Sequence, residues 1–103
     1  MKKIIDGKMY NTETAILVAE YNNGFGCGDF HYVCEELYIT KKGAFFLYCE
    51  GGALSKYSDT NGNSSWGICK IIALNEDEAY EWLERYNEVE AIEKYFSDRI
   101  EEA

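Results

Sequence analysis

The segment His31-Tyr32-Val33-Cys34-Glu35-Glu36-Leu37-Tyr38-Ile39-Thr40-Lys41-Lys42-Gly43-Ala44-Phe45-Phe46-Leu47-Tyr48-Cys49 spells a β-hairpin. Residues 31–40 are β-rich, mixing Tyr32, Val33, Leu37, Tyr38 and Ile39 with Glu35 and Glu36. Lys41-Lys42-Gly43 is the turn, with glycine where a positive φ is needed. Residues 44–49 form a near-continuous apolar run, the pattern of a central strand. Toward the N-terminus, Lys3-Ile4-Ile5-Asp6, Gly7 and Lys8-Met9-Tyr10 predict a strand, a turn and a second strand. Toward the C-terminus, residues 69–74 (Cys-Lys-Ile-Ile-Ala-Leu) predict a further strand.

Two stretches predict helices. Asn11 reads as an N-cap with Thr12, Glu13 and Thr14 in the first turn. Ala15, Ile16, Val18, Ala19 and Tyr21 then supply the apolar face, and Asn22-Asn23-Gly24 ends the helix. Asn75 followed by Glu78 is a capping-box pattern. Behind it Ala79, Trp82, Leu83 and Tyr86 recur at i, i+3, i+4 and i+7. Asn87 interrupts this helix, and Val89, Ile92, Tyr95, Phe96 and Ile100 continue the spacing in a second one. The fold class is α+β in a single domain over residues 1–103: an antiparallel sheet of four to five strands, one N-terminal helix and two acidic C-terminal helices.

The composition narrows the function. With 19 acids against 10 bases the formal charge is −9, and residues 76–103 hold 11 of the acids and 3 of the bases, hence −8 of the −9. Tight duplex binding needs cations that displace counterions from phosphate, so no direct binding to duplex DNA is expected. A negative face suits a basic protein surface instead. No apolar run approaches the ~20 residues of a membrane span, so no membrane partner is expected. An acid at the sixth residue comes too early for a signal-peptide core, which predicts a cytoplasmic protein. There Cys27, Cys34, Cys49 and Cys69 stay reduced, and their spacing with the single His31 is not that of a zinc site. Asp59, Asn61 and Asn63 open like a Ca²⁺ loop, but its glycine and closing acid are missing, so no metal or cofactor is expected.

Residues 51–67 lack periodicity and exceed the usual loop length, which marks a contact loop. Ser55-Lys56-Tyr57 there has neither the phosphate-loop frame nor the nucleophile elbow. It offers hydroxyls, an amine and a phenol, and Trp66 adds an aromatic anchor. The candidate partner-binding residues are therefore Ser55, Lys56, Tyr57 and Trp66, with the helical carboxylates Glu81, Glu84 and Glu88; no catalytic residue is assigned. Two alternatives stand beside this. One is a small RNA- or nucleotide-processing enzyme using His31, Lys56 and Tyr57 with Glu36; the other is a self-associating scaffold.

Several segments carry a resemblance. They are residues 3–8 leading into Tyr10-Asn11-Thr12-Glu13-Thr14-Ala15; Asp29-Phe30-His31-Tyr32 with Glu36-Leu37-Tyr38; Gly51-Gly52-Ala53-Leu54-Ser55-Lys56-Tyr57; and the acidic helix over 74–84. On these the chain resembles a family of small proteins encoded on phages and integrated mobile elements of Firmicutes. Some small acidic proteins of that origin are anti-CRISPR inhibitors of an RNA-guided nuclease. The resemblance implies a protein that binds and inhibits a host defence protein, a CRISPR effector nuclease being the partner it points to. It assigns no functional residue.

Overall fold

The computed structural model describes residues 1–26, 29–52, 58–61 and 64–101, with 58–61 and 64–67 described by their backbone alone. The expected central hairpin is there. Strand β4 (Val33–Ile39) pairs antiparallel with β5 (Phe45–Gly51), Leu37 opposite Leu47. The turn closes through Gly43 N–H on the Thr40 carbonyl at 2.9 Å, and Gly43 sits at φ 88°, where a side chain would be strained. Strands β1 (Lys2–Ile5) and β2 (Lys8–Asn11) form the expected N-terminal hairpin across Asp6-Gly7.

The predicted N-terminal helix is a strand instead, β3 (Ile16–Asn22), antiparallel to β4. The cap signal is real but local. Asn11 Oδ1 accepts the Glu13 N–H at 3.0 Å, and the Asn11 carbonyl accepts the Ala15 N–H at 3.0 Å, giving one turn that does not propagate. Beyond it, β-branched Ile16 and Val18 are poor at carrying a helix and well suited to a strand. The free edge of β4 then takes up their backbone groups. The register slips between Leu17 and Ala19, a bulge that places both Val18 and Ala19 against the core.

A second correction concerns residues 51–67, expected to be an aperiodic loop. They contain β6 (Ser58–Asn61) and the start of β7 (Ser64–Leu74). The sheet order is β3-β4-β5-β7-β6. Pairing of β5 with β7 ends at Gly51 opposite Ile68, and β6 pairs with residues 64–67. Thus β6 and the first part of β7 form a hairpin arm beyond the four-stranded body.

Helix α1 (Glu76–Arg85) begins at the expected capping box: the Asn75 side chain accepts the Glu78 N–H at 2.8 Å, and Glu78 Oε1 accepts the Asn75 N–H at 3.0 Å. It stops before Asn87, which sits at φ 53°. Helix α2 (Val89–Tyr95) is shorter than its spacing predicts, and a 3-10 turn (Ser97–Arg99) follows. Arg99 holds that turn to the start of α1, with Nη1 2.8 Å from Asp77 Oδ1, and its guanidinium lies over Tyr80 and Phe96. Among the described residues, no helix is long and apolar enough to cross a membrane.

The period-2 rule assigns the two faces of the sheet. Val33, Glu35 and Leu37 of β4 share a face with Phe45, Leu47 and Cys49 of β5, and Ala79, Trp82, Leu83 and Phe96 close over it. Among the described residues, the opposite face is covered at its turn end. There Tyr10 and Ile5 of the N-terminal hairpin pack on Phe46 and Ile71. The Gly52 N–H bonds the Tyr32 carbonyl at 2.8 Å, and a Cβ on Gly52 would run into the backbone oxygens of Asp29 and Phe30. Gly52→Ala should therefore displace the 29–30 segment and cost about 1–3 kcal/mol, read as a lower urea midpoint with new amide shifts at Asp29 and Phe30.

Candidate functional site

Where the N-terminal hairpin ends, the second face of the sheet carries an acid and tyrosine surface. Register sets Glu20, Glu36 and Tyr48 in one row across β3, β4 and β5. Asn22, Cys34, Glu50 and Cys69 form the next row. Glu20, Asn22 and Cys69 are exposed, and Cys34, Glu36, Tyr48 and Glu50 are half-buried.

Phenols hold the carboxylates in place. Tyr32 donates to Glu50 Oε1 at 2.9 Å and Tyr48 to Glu50 Oε2 at 3.1 Å, so both oxygens of one carboxylate are engaged. Tyr38 donates to Glu36 Oε1 at 3.2 Å. Burial, then the charge of Glu36, pushes the Tyr38 phenol up to about 12. Tyr32 is raised by burial and then by its bonds to Cys34 and Glu50; Tyr48 is raised by burial and then by Glu50. Burial likewise raises the Cys34 thiol, although the Tyr32 hydroxyl opposes it. These phenols therefore stay protonated and keep donating at neutral pH. Among the described residues no base pairs with Glu36 or Glu50. Glu20 lies directly across from Glu36, a like-charge pair that costs stability in a sheet.

Chemically this is a cation acceptor of fixed geometry. Its carboxylates are oriented by neighbours, so an incoming guanidinium or ammonium need not order them. The adjacent rings add apolar and cation–π contact area. No group of three or more His, Cys, Asp or Glu among the described residues is placed to hold a metal ion.

The site residues expected from the sequence are spread over the molecule. Glu81 and Glu84 are exposed on the outer side of α1, opposite buried Ala79, Trp82 and Leu83, so they lie on the far layer from Glu36 and Glu50. Glu88 is half-buried at the start of α2. Asp77, which continues the α1 stripe, is taken by Arg99. Trp66 is carried by β7 opposite Asp59, in the arm. Ser55, Lys56 and Tyr57 lie outside the described residues, as does Cys27; Cys34, Cys49 and Cys69 are not in disulfides. For the enzyme alternative, His31 is exposed and its ring meets that of Phe25 at 6.0 Å, while Glu36 is bonded to Tyr38.

No family model, curated protein or solved structure matches the chain. The sequence signal for the acid and tyrosine surface was the alternation in the two central strands: Cys34, Glu36 and Tyr38 on β4, and Tyr48 and Glu50 on β5, leave the apolar face by period 2. Within residues 44–49 the near-continuous apolar run masks that alternation, because Tyr48 is itself apolar in pattern.

Proposed function

We propose that the protein is an acidic binding module that docks its open sheet face on a basic protein surface, one that otherwise holds a nucleic acid. The observation that carries this reading is the Glu36 and Glu50 pair, with three carboxylate oxygens fixed by Tyr32, Tyr38 and Tyr48 and, among the described residues, no base paired with it. Arginine and lysine side chains in a polyanion channel would replace that missing base. The outer carboxylates Glu81 and Glu84, with a chain charge of −9, supply long-range steering. Occupation of the channel excludes its nucleic acid and inhibits the partner. An RNA-guided CRISPR effector nuclease, which grips its heteroduplex in a positively charged channel, is the partner to test first.

The test is affinity for the purified effector, without and with guide RNA, across ionic strength. Binding should weaken with salt and with guide bound. Glu36→Lys with Glu50→Lys should lower affinity about tenfold or more through faster dissociation. Glu81→Lys with Glu84→Lys should mainly slow association. Unchanged affinity of the Glu36/Glu50 variant, with its circular dichroism preserved, rejects the sheet face as the docking surface.

A further inference from the structure

At the turn end of the same sheet, a cleft of about 540 Å³ opens between the N-terminal hairpin and the β4–β5 turn, lined by Gly7, Met9 and Tyr10 together with Lys8, Lys41 and Lys42. Asn11, Thr14, Thr40 and Ala44 complete its wall. In a chain of charge −9, three of the ten Lys and Arg residues line this cleft and, among the described residues, no carboxylate does. Among the described residues none of the three lysines is in an ion pair.

The polar lining is biased toward donors. Asn11 Oδ1 is occupied by the Glu13 N–H, which leaves its NH₂ to donate. Thr40 Oγ1 accepts the Ala44 N–H at 3.1 Å, which leaves its hydroxyl proton to donate. The backbone N–H groups of Lys41 and Lys42 meet no protein acceptor among the described residues. Gathering like charges without a counter-charge costs free energy, and an anion in the cleft offsets that cost. Three ammonium groups match the roughly −3 charge of a diphosphate. The volume lies within the roughly 300–1,000 Å³ of small-molecule sites, and the Tyr10 ring supplies an apolar wall for an organic group.

We propose that this cleft binds the diphosphate group of a nucleoside diphosphate, held by Lys8, Lys41 and Lys42. The inference is independent of the partner-binding reading, which uses other residues. The test is a ¹H–¹⁵N titration of the full chain at low salt with inorganic pyrophosphate, ADP and adenosine. Saturable shifts at Lys8, Lys41, Lys42 and Gly43 are expected with pyrophosphate and ADP, with ADP the tighter. Adenosine alone should leave these amides unmoved. Lys41→Ala with Lys42→Ala, both on an exposed turn, should weaken ADP about tenfold or more while leaving the fold intact. Absence of saturable shifts up to about 10 mM overturns the site. So does an ADP affinity unchanged in the lysine variant. Pyrophosphate binding as tightly as ADP overturns the nucleoside part.

Discussion

Phe46→Ala should remove about 3–5 kcal/mol of stability, the cost of deleting a fully buried aromatic ring. Against a total of roughly 5–15 kcal/mol, that leaves a variant near its unfolding threshold. The site is unusual in what it joins. Phe46 is 0% exposed, stacked on Tyr38 at 5.2 Å between ring centroids, and met edge-on by Tyr10 at 5.5 Å. Tyr10 is the one buried side chain of the N-terminal hairpin; Ile4 and Met9 point outward at 66% and 56% exposure. A two-stranded hairpin is marginal by itself, so Phe46 is the anchor that keeps β1 and β2 on the sheet. Urea unfolding of the variant should show the loss. Amide exchange should show its distribution, with β1 and β2 amides accelerated beyond those of α1. Phe46→Leu, which keeps most of the volume, should fall between the two. Uniform acceleration across hairpin and helix would mean that the hairpin is held by something other than this ring.

The parts of the fold that were legible are those where local and long-range physics agree. The β4–β5 hairpin combines strand-forming residues, a turn with glycine at its left-handed position and a buried apolar run, and each would choose the same structure alone. The Asn75 cap and the stripe of Ala79, Trp82 and Leu83 agree in the same way. Legibility failed where they disagree. Asn11 caps one helical turn, yet the segment from Ile16 gains more by pairing with β4, where Ile16 lies opposite Ile39, a partner that no short window of sequence contains. The arm was missed for a different reason. Asn61 pairs with Ser64, but the polar residues Ser58-Asp59-Thr60-Asn61 carry no alternation.

The candidate site divides along the same line. The acidity of the helices was visible as a count, but its availability was not: Arg99, 22 residues beyond Asp77, takes that carboxylate, and the exposed pair Glu81 and Glu84 remains. The ordered carboxylates lie instead on the sheet. Tyr32 reaches Glu50 from 18 residues away, and only the register of β4 on β5 makes that bond. Spacing along the chain cannot show a site assembled across strands, although the face on which Glu36 and Glu50 fall follows from parity alone.

The protein should lose stability steeply above pH 10, and the phenols that order the acidic face should account for it. An unfolded tyrosine ionises near pH 10. Tyr38 is held up to about 12 by burial and Glu36, and Tyr32 and Tyr48 are raised by burial and their bonds to neighbours. A group whose pKa is raised on folding contributes its full stability below the unfolded value and loses it as pH climbs toward the folded one. Between those values the unfolded chain has released protons that the native chain still holds, so stability falls with pH. Each such phenol therefore forfeits stability as the pH passes 10. Urea midpoints at pH 8, 10 and 11 should therefore decline. The triple variant Tyr32→Phe, Tyr38→Phe, Tyr48→Phe should flatten that decline while lowering stability at neutral pH, because Glu36 and Glu50 lose their donors. A decline of equal slope in the triple variant would place the alkaline sensitivity elsewhere. Such a result would also remove the physical reason for treating Glu36 and Glu50 as pre-oriented acceptors.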